Sequence, residues 1–220
     1  MKRKITFAPD EYYHIYSRGV DKRKIFLDKG DYYRFFALLF ICNSTNSIKI
    51  RDQFRQGRSL AEVMLVKRNE TLVDIGAYCL MPNHYHLLIR EKNDNGISTF
   101  MKKLNTAYVM YFNKKNKRSG VLFQGRFGAE WLNKDEYLKY IFAYIHLNPV
   151  KLIEPKWKDN GIKNFAKVKK FLNNYFWSSY LSYTMEQKNS ILNKKEFPEY
   201  FKNKKEFKNF IDDWLKYQKE

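Results

Sequence analysis

Two β-forming runs, Leu72 to Leu80 and His84 to Ile89, are separated only by Met81-Pro82-Asn83. Proline has no N–H to give to a sheet ladder, so a bulge, an edge or a hairpin bend must lie at Pro82. Within the second run, strand alternation puts His84 and His86 on one face and Tyr85, Leu87 and Ile89 on the other, toward a core. The flanking segments read as strand and helix in turn. Glu11 to Arg18 is rich in aromatic and β-branched residues and is broken by Gly19. Asp28 to Cys42 repeats Tyr32, Phe35, Phe36, Leu39 and Phe40 at helical spacing. Asn43 to Ser47 is a polar turn, and Ser59 to Val66 is a short helix with Ser59 and Glu62 as a capping box. Ile97 to Phe112 is a long helix, Asn113 to Ser119 a basic loop, and Val121 to Phe127 a further strand. Asn133 to Leu147 is a helix capped by Asn133 with Glu136 completing the box; it must stop near Asn148, because Pro149 pushes its predecessor out of the α region. Residues 186–220 read as short helices packed on, or trailing from, the rest.

The partner class follows from charge. The 220 residues carry 42 Lys and Arg against 23 Asp and Glu, a net charge of +19. A disordered chain of that charge would be poor in aromatics, but 17 Tyr, 18 Phe and 4 Trp can build a core. The longest apolar run, Phe35 to Cys42, is far short of a bilayer span, and the basic start Met1 to Lys4 is not followed by the apolar stretch of a signal peptide. These features predict a cytoplasmic protein. Cys42 and Cys79 lie in apolar surroundings and read as buried free thiols. Positive charge distributed among aromatics and short turns points to nucleic acid rather than to a membrane surface.

The chemistry centres on His84-Tyr85-His86, two imidazoles close enough on one strand face to share a metal ion. The competing reading is a pair of strand histidines satisfied by hydrogen bonds. No further His or Cys lies nearby at zinc spacing. The candidate third ligand is in Tyr144-Ile-His-Leu-Asn148, where Tyr144 and Asn148 share a helix face. Two imidazoles and an amide oxygen with open positions suit Mg²⁺ or Mn²⁺. A metal on a scissile phosphodiester would favour attack by a tyrosine hydroxyl, which is otherwise a poor nucleophile at neutral pH. Tyr140, one turn earlier, is the rival nucleophile. His14 can face this site or the core, and His146, off the Tyr144 face, reads as surface.

Tyr12-Tyr-His-Ile-Tyr-Ser-Arg-Gly-Val-Asp-Lys-Arg23, Ile25-Phe-Leu-Asp28, Cys79-Leu-Met-Pro-Asn-His-Tyr-His-Leu-Leu88, Ser119-Gly-Val-Leu-Phe-Gln-Gly-Arg-Phe127, Tyr144-Ile-His-Leu-Asn-Pro-Val150 and Trp177-Ser-Ser-Tyr180 together resemble the REP-associated tyrosine transposases. These belong to the single-tyrosine branch of the HUH nucleases, and the resemblance covers residues 11–183. Phe123 stands where a Trp is more usual. The resemblance implies an α+β, ferredoxin-like domain over residues 1–183. Its central antiparallel sheet carries the His-x-His pair, helices pack on it, and a Lys-rich helical appendage follows over 184–220. It implies His84, His86 and Asn148 as metal ligands, Tyr144 as nucleophile, and Mg²⁺ or Mn²⁺ as the only cofactor. The implied activity is a transposase that cleaves single-stranded or hairpin DNA through a 5′-phosphotyrosine. The implied setting is a bacterial, nucleoid-associated monomer or homodimer. The alternative is a non-catalytic protein that binds structured DNA or RNA with the same fold. Basic clusters predict the DNA contacts: Arg18 with Lys22, Arg23 and Lys24; Lys102 and Lys103; Lys114, Lys115, Lys117 and Arg118; and Arg126.

Overall fold

The computed structural model describes residues 5–46, 49–55, 57–185 and 187–216. The basic start Met1–Lys4 and the end of the predicted Asn43–Ser47 turn lie outside these residues. Strand β1 (Tyr12–Arg18) leads through a short turn to helix α1 (Lys29–Ile41). The Asp28 side chain caps α1 by accepting from Asp31 N–H. Two short helices, α2 (Ile50–Arg55) and α3 (Leu60–Met64), follow, and α3 carries the predicted Ser59–Glu62 capping box. Strands β2 (Val73–Met81) and β3 (His84–Glu91) form the hairpin around Pro82-Asn83. Helix α4 (Gly96–Lys115) leads toward β4 (Gly128–Trp131). Buried Glu91 accepts from the N–H of Ile97 in the first turn of α4.

The sheet is antiparallel throughout, in the order β2-β3-β1-β4. A β-α-β-β-α-β chain in that order is the ferredoxin-like arrangement, as the sequence resemblance implied. Helices α1 and α4 cover one face, over Tyr13, Ile15, Tyr85, Leu87 and Ile89. The other face presents Ala77, Cys79, Met81 and Leu88 to helix α5 (Asp135–Leu147). A bulge between Ile75 and Ala77 resets the alternation of β2, so that Ile75 and Tyr78 join one core while Ala77 and Cys79 join the other. Gly76 is required there, since a Cβ would stand 2.7 Å from the Phe197 ring.

Behind α5 the chain adds α6 (Trp157–Asn160), α7 (Phe165–Asn173), α8 (Tyr180–Thr184) and α9 (Lys204–Lys216). Phe207, Ile211 and Leu215 of α9 are buried with Ala143 and Leu147 of α5 and Leu181 of α8. The C-terminal helix is therefore packed on the tyrosine-bearing helix, not trailing from it. The Trp177-Ser-Ser run protects the free edge of β2: Leu80 N–H donates to Trp177 O at 2.8 Å and Ser179 N–H to Tyr78 O at 3.0 Å. Trp177 also stacks on Tyr32, with ring centroids 4.4 Å apart.

Three sequence expectations are corrected. Residues 121–127 form no strand beyond an isolated bridge from Phe123 to Gly19, and the fourth strand begins at Gly128. Helix α5 is capped at Lys134 without a side-chain bond, so the predicted Asn133 box is not made. His146 is fully buried, held by Phe142 O at 2.8 Å and the Ser179 hydroxyl at 2.7 Å. Cys42 and Cys79 are buried free thiols, and burial pushes the Cys42 thiol up to about 12. Among the described residues, no helix is long and apolar enough to cross a membrane.

Candidate active site

The β1–β3–β4 register brings three histidines onto the sheet face that α5 covers. Tyr16 pairs with His86, Arg18 with His84, and His14 with Glu130. Strand alternation therefore makes a row from His86 through His14 to Glu130 across three adjacent strands. His14 Nε2 is 2.8 Å from His86 Nδ1, and His14 Nδ1 is 3.4 Å from Glu130 Oε2. His84 Nδ1 is 2.6 Å from Asn83 Oδ1. In the arrangement where every ring is neutral, His86 Nδ1–H donates to His14 and His14 Nδ1–H donates to Glu130. Gly128 leaves room for Tyr16 beside this row, since a Cβ there would lie 2.4 Å from the Tyr16 ring.

Burial, with help from the positive charges of Arg18 and Lys151, pushes His84 down to about 4. His86 is held well below its ordinary value, first by burial and then by the neighbouring histidines. Both rings are accordingly neutral at physiological pH and keep one unprotonated nitrogen each. Their Nδ1 atoms are engaged by Asn83 and His14, so any further partner of either ring meets its Nε2, and at His84 Asn148 is that partner.

Helix α5 lays Tyr144 over this face. Its ring stands edge-on to His86 and His14, with centroids 5.3 and 5.4 Å away. Lys158 Nζ lies 5.0 Å from the Tyr144 ring centroid. Asn148, at the end of α5, gives its Nδ2–H to Tyr144 O at 3.0 Å, and its side chain also bonds to His84. His84, His86, Tyr144 and Asn148 thus line one cleft of about 510 Å³. Among the described residues there is no group of three or more His, Cys, Asp or Glu that could hold a metal ion. A metal here would rest on one imidazole nitrogen from each of His84 and His86 and on the Asn148 amide oxygen, a borderline-and-hard donor set that leaves open positions for the oxygen ligands Mg²⁺ or Mn²⁺ takes.

The predicted basic residues divide by location. Arg18 and Arg126 line the cleft. Lys22 and Arg23 sit on the turn after β1, tied to the hairpin by Asn83 Nδ2–H donating to Lys22 O. Lys102, Lys103, Lys114 and Lys115 lie on α4, which packs on the opposite sheet face, with Lys117 and Arg118 just beyond its end. Lys103 donates to the Ser44 and Asn46 carbonyls. Lys115 is ion-paired with Asp28 and buried Asp31 at 2.7 Å each. Arg118 donates to Asn113 Oδ1 and Val121 O. The 114–118 segment is thus helix end and internal bonding as much as basic loop.

Sequence reasoning missed Glu130, Lys151 and Gln124, all of which line the cleft. Glu130 had no signal without the strand register. Lys151 follows Asn148 by one turn, and that spacing was a usable clue. Gln124 arrives because its N–H donates to Arg18 O, laying the 122–126 segment along the end of β1.

The family profile described as "Transposase IS200 like" matches residues 39–148, half of the chain, and ends on Asn148. This chain belongs to the IS200-like transposase family. The matched span contains His84, His86 and Tyr144. A solved structure of a REP-associated tyrosine transposase bound to a REP hairpin has the same fold, with a TM-score of 0.53 at 13% sequence identity; the match covers 90% of this chain and 88% of that one. No curated protein matches the sequence significantly. The shared α+β fold and the family profile together identify a transposase-type domain; in this chain the paired histidines and Tyr144 line one cleft on the same sheet face.

Proposed function

We propose that the protein is a metal-dependent single-stranded DNA endonuclease and strand transferase acting at hairpin-forming repeats. The observation that carries this reading is Tyr144 standing edge-on over His86 in the cleft shared with His84 and Asn148. Family membership and the fold match to a hairpin-bound transposase support it.

His84 and His86, through Nε2, and Asn148, through its amide oxygen, are the residues that would hold Mg²⁺ or Mn²⁺. When bound, the ion withdraws charge from a scissile phosphate and so eases in-line attack. The chain's own residues do the rest. Arg18, Arg126 and Lys151 line the cleft and supply positive charge for the non-bridging oxygens. Asn148 donates to the Tyr144 carbonyl and so closes the last turn of α5, which carries Tyr144. Tyr144 Oη forms the new bond to phosphorus as the bond from phosphorus to the 3′ oxygen breaks. The phenolic proton passes to solvent, and the departing 3′ oxygen takes up a proton from solvent and leaves as a hydroxyl. The product is a 5′-phosphotyrosine that conserves the phosphodiester energy, so the reverse step can join another strand. Residues 1–183 are the catalytic unit in this reading, and helix α9 of the 184–220 appendage supports α5 from behind.

The test is a denaturing gel of labelled hairpin DNA incubated with the protein and Mn²⁺. A covalent adduct that disappears in Tyr144→Phe and persists in Tyr140→Phe is the expected result. Cleavage that survives Tyr144→Phe removes the tyrosine assignment. Hairpin binding with no cleavage by the wild-type protein favours the non-catalytic alternative.

A further inference from the structure

Helix α5 carries a row of tyrosines along the seam between its two cores. Its residues at i, i+3 and i+7 are Tyr137, Tyr140 and Tyr144. Tyr137 is 52% exposed. Tyr140 packs on Trp214 of α9 with centroids 4.8 Å apart, and on Tyr144 at 6.1 Å. These rings wall an open groove of about 630 Å³, with Trp157 also lining it. The groove is separate from the histidine cleft but continuous with it: Tyr144, Asn148 and Lys151 line both.

We propose that this groove binds the unpaired nucleobases next to the scissile phosphate, stacking them along Tyr137, Tyr140 and Trp214. The inference rests on the nuclease reading for the position of that phosphate, and adds where the flanking strand runs. Three features favour nucleobases. A series of aromatic faces that ends at the nucleophile is a stacking platform, and every base has a π-face to offer. Positive charge sits at the junction with the histidine cleft, where Lys151 lines both spaces and Lys158 lies over the Tyr144 ring, so the backbone phosphate is held at the Tyr144 end. Glu136 and Asp159 also line the groove. Carboxylates repel phosphates but accept hydrogen bonds from the exocyclic amino groups of cytosine and adenine. The walls thus suit bases, not backbone. A second copy of the chain is the less fitting occupant, because each copy carries a net charge of +19 and DNA relieves the repulsion that self-association would add.

The test uses single-stranded 15-mers of oligo-dC and oligo-dT, each with one 2-aminopurine, in EDTA, so that binding is read without metal or cleavage. Oligo-dC binds more tightly than oligo-dT, and 2-aminopurine fluorescence is quenched on binding. Tyr137→Ala weakens oligo-dC binding about tenfold without changing its salt dependence, because a stacking contact releases no counterions. Tyr137→Phe restores the affinity, and Glu136→Gln narrows the preference for oligo-dC. Tyr137 is exposed, so these variants leave the core intact, which circular dichroism checks. Unchanged affinity and quenching in Tyr137→Ala overturn the proposal. A sedimentation shift in Tyr137→Ala with unchanged oligonucleotide affinity also overturns it, and assigns the groove to self-association. If wild-type protein forms no adduct with hairpin DNA but the Tyr137 effect holds, the nuclease reading falls and the groove assignment stands.

Discussion

His14 Nε2 lies 2.8 Å from His86 Nδ1, with both rings buried beneath Tyr144. His14 lines the same cleft as His84, His86 and Tyr144. In the proposed site its contact fixes which nitrogen of His86 carries the proton, and Glu130 does the same for His14. Removing such a support costs metal ligands about 10–100-fold in affinity. His14→Ala should therefore weaken Mn²⁺ binding by about that factor, read by calorimetric titration, with hairpin affinity retained in EDTA. Equal loss of both would make His14 a packing residue only.

His84→Ala removes a proposed ligand from the cleft while leaving Arg18, Arg126 and Lys151 in place. The expected result is loss of the covalent adduct with hairpin affinity largely intact. A gel-shift affinity that falls in parallel with cleavage would show that His84 supports the fold and not the chemistry.

Lys151 and Lys115 give opposite expectations although both are lysines in a basic chain. Lys151 lines the cleft and is proposed to meet phosphate, so Lys151→Ala should weaken DNA binding and lower its salt slope by about one. Lys115 is paired with Asp31, which is fully buried and also accepts from Leu27 N–H and the Tyr111 hydroxyl. Lys115→Ala leaves that carboxylate short of a partner and should cost about 2 kcal/mol of stability with the salt slope unchanged. Urea unfolding and salt-dependent binding, measured on both variants, separate the two roles.

His146 predicts an acid limb of stability. Burial pushes it down to about 3, whereas the unfolded chain takes up the proton near 6.5. The unfolded state therefore binds more protons between those values, and stability falls as pH drops through that window, by up to about 1.4 kcal/mol per pH unit. His84, down to about 4, adds loss of the same sign. The urea midpoint should drop steeply from pH 7 to pH 4.5, and less steeply in His146→Gln. A midpoint independent of pH over that range would contradict the burial of His146.

The residues of the site were legible one by one, but their assembly was not. Alternation around Pro82-Asn83 was enough to place His84 and His86 together and Tyr85, Leu87 and Ile89 in the core, because strand geometry is local. Helical spacing likewise put Tyr144 and Asn148 on one face of α5. The motif order carried the family and the ferredoxin-like sheet. Three further matters depended on contacts between residues far apart in sequence. Whether His14 faced the core or the site was decided by β1 lying between β3 and β4, 72 residues from His86 and 116 from Glu130. His146 was buried by α8 and α9, which no pattern within α5 could announce. The lysines were sorted by which sheet face α4 covers and by where Asp31 is buried. Sequence alone determined the strand and helix periods and the pairing of His84 with His86, and singled out Tyr144 as the proposed nucleophile over Tyr140. Tertiary structure decided that His14 and Glu130 stand behind His86, how the basic charge divides and where the aromatic groove lies, because hydrogen bonds and desolvation act through space and the chain pattern records only neighbours along it.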